Sequence, residues 1–438
     1  MAKLQYRKNG STVTKDSTND QQSITKKNNG TKAETSSSII LQVIGPLIIA
    51  GFGMVGAGLL LDHIQSTIVF QKLSELVILV PALLGLKGNL EMTMASRLSS
   101  IGNTGKLKTN LQRFKTFYAN MALTQCQSIG VGISAALFAI TIQAIYSGSL
   151  SLSNVMVLCA ISQLTACIAS LVLGTIVQLI IILCLDRGIN PDNIATPIAA
   201  ALGDLVTLYI LYFVSNQIYI SMDTNPCLSF LILLFSITLF PIFWKISLCD
   251  PFTAIALYES WIPVLSAMAI SSSGGLVLNY AISQYNRLAV FQPLINGVGG
   301  NIAAIQASRM STFLHQSKKK SIKIKYFLNP FGLFVRPGNN SRTARILLGL
   351  VVPCQMIFLM ALCFIHDDKQ SPLTLRFVIF YLLVSLLQVL ILLHLTENLV
   401  KWIWSCGINP DNSTIPYLTA IGDFLGTYFL LKAFQYAS

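Results

Sequence analysis

The chain has 438 residues, of which 53% are hydrophobic and only 11% charged. A soluble domain of ordinary composition would be about a quarter charged, so a water-soluble globular fold is excluded. The net charge of +13 would suggest a nucleic-acid partner in a soluble protein; here the Lys and Arg residues lie between apolar runs, where they act as topology signals, and no nucleic acid is expected.

Residues 1–38 are polar and rich in Ser, Thr, Asn and Lys. They contain no apolar h-region, so they do not read as a cleaved signal peptide; a disordered cytosolic tail is expected. Asp16, Asp20 and Glu34 also speak against a mitochondrial presequence. Eleven apolar stretches follow, at 39–61, 75–96, 117–146, 154–184, 194–220, 227–248, 254–282, 288–309, 343–365, 372–400 and 413–436. Each is long enough to cross roughly 30 Å of hydrocarbon as a helix, so the expected fold is an all-α polytopic membrane protein lying in a lipid bilayer.

With the N-terminus in the cytosol, 24 Lys and Arg residues fall on the cytosolic side of this arrangement and five on the other, the asymmetry that orients membrane proteins. The most basic connection runs from Arg309 to Arg345; its segment 318–325 reads as a topology signal, with attraction to anionic lipid as the alternative. The sequons at Asn9, Asn29, Asn339 and Asn412 lie on the cytosolic side, where no glycan is expected. The plasma membrane is the default location. The nine cysteines sit mostly inside apolar runs with no C-x-x-C pair, and read as small packing residues rather than a zinc or disulfide framework.

The sequence repeats itself. Residues 81–99, PALLGLKGNLEMTMASRLS, and 293–311, PLINGVGGNIAAIQASRMS, match at eight positions with a constant offset of 212. Residues 188–204, GINPDNIATPIAAALGD, and 407–423, GINPDNSTIPYLTAIGD, share G-I-N-P-D-N, a later proline and A-x-G-D at an offset of 219. Spans one to five and seven to eleven are therefore related units, 39–220 and 253–438, and a linker helix within 221–252 has no counterpart. Five spans would leave the second unit inverted; the extra helix restores its orientation, which implies a pseudo-two-fold axis along the membrane normal and a monomer built as a pseudo-dimer.

Asp204 and Asp423 are the leading candidates for chemistry. Each follows a helix-starting proline (Pro197, Pro416) by seven residues, about 10 Å into its span at 1.5 Å per residue. A carboxylate at that depth costs several kcal/mol unless paired, hydrated or bound to a cation, and two that converge repel one another until a divalent cation relieves them. Protonated aspartates bonding neighbouring helices are the plainer alternative. Asn89 and Asn301 close the two G-x-x-G-N blocks and offer oxygen to a hard cation or its water shell, against the alternative of small-residue helix packing. Gln306 is a further candidate ligand, with Met94 at the corresponding place. Glu91 reads either as part of the ion path or as an ion pair with Lys87, four residues earlier. Asp192 and Asp411 could draw cations to the cytosolic mouth; turn formation and helix capping explain them equally well. Magnesium suits this oxygen-only inventory, since it dehydrates reluctantly and is held by one or two carboxylates with its waters retained.

PALLGLKGNLEMTMASRLSSIGNTG and the paired INPDN…P…A-x-G-D blocks resemble the eukaryotic solute-carrier relatives of the bacterial MgtE magnesium transporters, over essentially all of residues 39–438. The resemblance implies two five-helix units with an ion pathway at their interface and an intramembrane Asp from each unit on the magnesium ion. That points to Asp204 and Asp423, with Asn89 and Asn301 along the path. The bacterial proteins are homodimers with large cytosolic sensing domains, whereas here both units share one chain and the 38-residue tail is too short for such a sensor. The first block also reads K-G-N-L-E-M-T where the second reads G-G-N-I-A-A-I-Q, which weakens strict symmetry. Channel-like flow and exchange against Na⁺ or protons both stay open. A non-transporting scaffold is the rival from another class. An intramembrane aspartyl protease, suggested by the likeness of A-x-G-D to G-x-G-D, fits poorly because one motif is duplicated; no enzymatic activity is expected.

Overall fold

The computed structural model describes residues 36–437, apart from 66, 74, 108, 148–151, 222–224, 226, 286, 318–331, 336–337 and 366–373. The expected tail 1–38, the basic segment 318–325 and the sequons at Asn9 and Asn29 thus lie wholly or almost wholly outside the described residues. Among these, eleven helices of twenty residues or more occur: α1 (Ser36–Gln65), α2 (Glu75–Asn103), α3 (Asn110–Ser147), α4 (Leu152–Asp186), α5 (Ala195–Ser221), α6 (Leu228–Ser247), α7 (Trp261–Gln284), α8 (Leu288–Ser317), α9 (Asn339–Ile365), α10 (Leu375–Ser405) and α11 (Pro410–Ala437). No strand is present among the described residues. In hydrocarbon a helix is the element that satisfies every backbone N–H and C=O within itself, and the described membrane-length elements are all helices. Nine of these helices, all but α2 and α11, contain a stretch long and apolar enough to cross a membrane by length and composition. The two exceptions are just as long but carry polar side chains along their length, including Glu91 and Arg97 on α2 and Asp411 and Asp423 on α11.

The seventh expected span, 254–282, is interrupted. A short helix, Pro251–Glu259, ends at Ser260, and α7 begins at Trp261. Pro263 brings no N–H for the Glu259 carbonyl one turn earlier, and its ring crowds that carbonyl. The break is held by Asp250, whose side chain accepts from the N–H of Phe252 and Thr253, and by Gln127 of α3, which donates to Ser260 Oγ at 2.5 Å.

Helices α1–α5 and α7–α11 pack alike, and they interlock. Within each set the fifth helix packs on the first, second and fourth: α5 on α1, α2 and α4, and α11 on α7, α8 and α10. Between the sets, α1 packs on α8 and α7 packs on α2, while α2 meets α11 and α8 meets α5. Thus α2, α5, α8 and α11 form the centre. α6 stands outside: only 11% of its most apolar stretch is buried, and Phe230, Leu231, Leu234, Phe235 and Ile237 point outward, as lipid-facing residues should.

The crossing of α1 and α8 is set by a glycine. A Cβ at Gly58 would lie 2.3 Å from the backbone oxygen of Val290, so only a hydrogen there permits the approach. Replacing Gly58 by Ala forces the helices apart and should destabilise the fold by about 1–3 kcal/mol. A lowered thermal unfolding midpoint in detergent, with Gly45→Ala unchanged because nothing lies within 4 Å of a Cβ there, is the expected result.

Candidate functional site

Two polar layers lie along the centre of the bundle, separated along α11 by the twelve residues from Asp411 to Asp423, about 18 Å of helix. The first is a cavity lined by α1, α2, α5, α7, α8 and α11. Asp204 and Asp423 both line it, together with Asn89, Ser271, Gln292 and Thr419. The two aspartates that recur at an offset of 219 therefore face one space.

Their surroundings differ. Ser271 of α7 donates to Asp423 Oδ2 at 3.0 Å, and Gly85 leaves room for that pair: a Cβ there would lie 2.6 Å from Ser271 Oγ and 3.3 Å from Asp423 Oδ2. Gly297, the counterpart of Gly85, meets the Met54 thioether of α1 instead, at 2.3 Å from a Cβ to Sδ. Asp204 has no recorded hydrogen-bond partner among the described residues, so its carboxylate is the less satisfied of the two.

The asparagines differ in the same way. Asn89 accepts a hydrogen bond from the Thr419 hydroxyl and lines the cavity. Asn301 is fully buried, and neither its amide nitrogen nor its oxygen has a hydrogen-bond partner. Repeat geometry explains this: the residue corresponding to Thr419 is Ala200, which offers no hydroxyl. A buried amide left unpaired costs about 1–3 kcal/mol.

Two candidates lie apart from the cavity. Glu91 is buried and accepts from Ser170 of α4 at 3.2 Å; the side chain of Lys87, its expected ion partner, lies outside the described residues. Gln306 is buried and donates through Nε2 to the backbone oxygen of Asn340, at the start of α9, at 3.1 Å.

The second layer holds the Asn-Pro-Asp-Asn turns. Asn190 and Asn409 each accept from the N–H of the aspartate two residues on, both at 3.1 Å, and Gly188 and Gly407 supply the positive φ that ends the preceding helix, 66° and 76°. The turns are not at an open mouth, as a cation-attracting role would require: Asp192 is 0% exposed and Asp411 2%. Ser308 donates to Asp192 Oδ1 and Ser96 donates to Asp411 Oδ1, both at 2.7 Å. Arg309 reaches Asn193 at 2.6 Å, and Arg97 reaches Asn412 at 3.3 Å. Each of these bonds turns into its partner when the repeat offsets are applied. Asn103 adds a bond to Asp192 Oδ2 at 3.0 Å, and its counterpart His315 sits 3.6 Å from Asp411 Oδ2.

Sequence reasoning passed over Ser271, Thr419, Ser96 and Ser308. The last two were visible as the conserved-in-both-halves serine of A-S-R-x-S, a pattern that marked the repeat without revealing that its serine crosses between units. Ser271 lies in S-S-S-G-G, which looks like ordinary small-residue packing.

Comparison with known proteins agrees with this architecture. The sequence profile of the MgtE family, described as divalent cation transporter, matches residues 80–214 and again 292–433, the two repeated units. Solute carrier family 41 member 2 of Homo sapiens is 44% identical over 408 residues, 92% of this chain and 71% of that protein. The member 2 protein of Xenopus laevis is 44% identical over 414 residues, 93% and 74%. Solute carrier family 41 member 3 of Rattus norvegicus is 40% identical over 422 residues, covering 94% of this chain and 90% of its own length. With two matches to one family profile and relatives aligned from end to end of the helical core, the chain belongs to the MgtE family of divalent cation transporters.

Proposed function

We propose that the chain moves magnesium along a pseudo-two-fold axis between its two units, with Asp204 and Asp423 as the carboxylates that hold the ion. The observation that carries this is their convergence on one cavity from equivalent places in a duplicated motif. Ionised together inside a low-dielectric surround they repel one another, and a divalent cation relieves both charges at once. The surrounding groups are oxygens of amide and hydroxyl side chains, Asn89, Ser271, Gln292 and Thr419. Such a set suits a cation that keeps most of its water, with the waters bonding the amides. Among the described residues no group of three or more His, Cys, Asp or Glu side chains is placed to hold a metal ion, so the site accords with transient passage rather than a closed cage.

The unpaired amide of Asn301 supports a role beyond the present conformation. It lies one position beyond the cavity-lining Gly300, where an ion's water shell would satisfy it as the ion moves on. Glu91 and Gln306, held by Ser170 and by the Asn340 backbone, then serve in packing the unit rather than in carrying the ion. The basic asymmetry of the connections favours a cytosolic N-terminus, the plasma membrane is the default location, and Na⁺ is the proposed counter-ion if transport is an exchange.

Uptake of Mg²⁺, Mn²⁺ and Ca²⁺ into liposomes, with and without a sodium gradient, tests the reading. Asp204→Asn and Asp423→Asn should each lower Mg²⁺ uptake by at least about tenfold, the scale on which metal sites respond even to lost supporting groups, at normal membrane abundance. Unchanged uptake in both would overturn the site. Thr419→Val, which strips Asn89 of its partner, should raise the half-saturating Mg²⁺ concentration several-fold while Mg²⁺ uptake persists at saturating concentration.

A further inference from the structure

The cavity that holds the two aspartates lies to one side of the layer of Asn-Pro-Asp-Asn turns. Its lining on α2 runs from Val80 to Met92 and on α8 from Gln292 to Gly300. It stops about one helical turn short of Ser96 and two short of Ser308. Beyond that point lies the layer of Asn-Pro-Asp-Asn turns, in which Asp192, Ser96 and Ser308 have no exposure at all.

The bonds in that layer fall into two kinds. Asn103 to Asp192 and His315 to Asn409 and Asp411 stay within one unit. Ser96 to Asp411, Ser308 to Asp192, Arg97 to Asn412 and Arg309 to Asn193 all cross between units. Residues equivalent by the repeat also meet one another directly: the oxygens of Ser96 and Ser308 are 3.0 Å apart, and those of Ser100 and Thr312 are 3.1 Å apart. A residue can touch its own repeat equivalent only where the pseudo-two-fold axis passes between them. The serines therefore mark the axis, and they occupy it.

The proton inventory makes this closure specific. Ser96 and Ser308 each have one hydroxyl proton, and each gives it to an aspartate of the other unit at 2.7 Å. Thr312 gives its proton to Asp192 at 2.8 Å, so Ser100 must be the donor in its contact with Thr312. Asp192 and Asp411 share the layer with Arg309 and Arg97, which bond the neighbouring Asn193 and Asn412. Unlike Asp204 and Asp423, these acids need no cation, and the two arginines would oppose one.

We infer that this layer is the gate at the Asn-Pro-Asp-Asn end of the pathway, closed by reciprocal serine–aspartate bonds between the units and opened when α2 and α8 part at Ser96 and Ser308. The inference rests on the transport reading, with the ion held at Asp204 and Asp423. Opening exchanges bonds between the units for bonds to water, while the bonds within each unit keep the turns folded. The serine–aspartate and arginine–asparagine bonds each have a symmetric twin and so release as pairs; the Thr312–Asp192 bond, which also crosses, has none.

The test is a lock placed on the axis. In full-length protein reconstituted into liposomes, Ser96→Cys with Ser308→Cys should join by a disulfide on mild oxidation. Oxidation should then lower Mg²⁺ uptake by at least tenfold, and reductant should restore it, while either single substitution is insensitive. The locked protein should keep its Mg²⁺-dependent rise in thermal midpoint, whereas Asp204→Asn loses both that rise and uptake without any oxidant, which separates a failed gate from a failed ion site. If the double variant does not reach the membrane, Ser100→Cys with Thr312→Cys makes the same lock one turn further on. Uptake at the reduced rate through cross-linked protein, or thiols that stay free under oxidation in both pairs, would overturn the gate.

Discussion

A carboxylate inside a bundle of apolar helices loses the water that would stabilise its charge, and this loss of several kcal/mol per group governs how the centre of this protein is built. Four aspartates lie near the line between the two units. Asp192 is bonded on both oxygens, by Ser308, Thr312 and Asn103, and Asp411 takes a hydroxyl from Ser96, with His315 3.6 Å from its other oxygen. Asp204 and Asp423 recover little: one serine for Asp423, and for Asp204 the cavity alone. The same side chain, duplicated at two depths, is bonded chiefly by protein at one level and faces a cavity at the other.

Much of this was legible in the sequence because hydrocarbon allows so few structures. Runs of apolar residues give the helices, α2 and α11 included although these are the more polar along their length, and the two repeated blocks mark which of them are central. The repeat also singled out Asp204 and Asp423, which do share a cavity. What stayed hidden was direction around the helix axis. α8 is buried nearly all round, 89% of its most apolar stretch, so it has no amphipathic stripe to tell a pathway face from a packing face. Gln306 and Asn301 lie on that helix and Glu91 on its counterpart α2, and sequence alone gave them equal standing with Asn89. The break at Ser260 was missed for a different reason: Pro263 sits in an apolar run whose composition does not change across it.

Duplication would yield two equal halves of a site, yet the halves have drifted apart where the cargo would sit. Asn89 has Thr419 and Asn301 has Ala200; Asp423 has Ser271, where the corresponding contact on the other side is Met54. The layer of Asn-Pro-Asp-Asn turns has drifted least, with four inter-unit bonds that still map onto one another. These two behaviours follow from what each layer must do. A latch that parts along a two-fold axis works best when its two sides release together, and identical bonds on both sides secure this. An ion site has no such need. A single cation between two carboxylates is held whether or not their neighbours match, and unequal neighbours bias it toward one side.

That bias has a mechanical consequence. On the transport reading, an ion drawn toward Asp204, the less satisfied carboxylate, would sit nearer α5 than α11 and load one unit more than the other. Its water shell would meet the two asparagines at one depth, since they are repeat equivalents: Asn89 with its oxygen on Thr419 and its amide nitrogen unpaired, Asn301 with both groups unpaired. Asn89 keeps one lone pair of its oxygen for such a water, whereas Asn301 has both, so bonding there relieves more of the cost of an unpaired buried amide. The inequality of the asparagines thus acts across the pseudo-two-fold axis, toward the Asp204 side, whereas the serine–aspartate bonds that map onto one another lie along that axis.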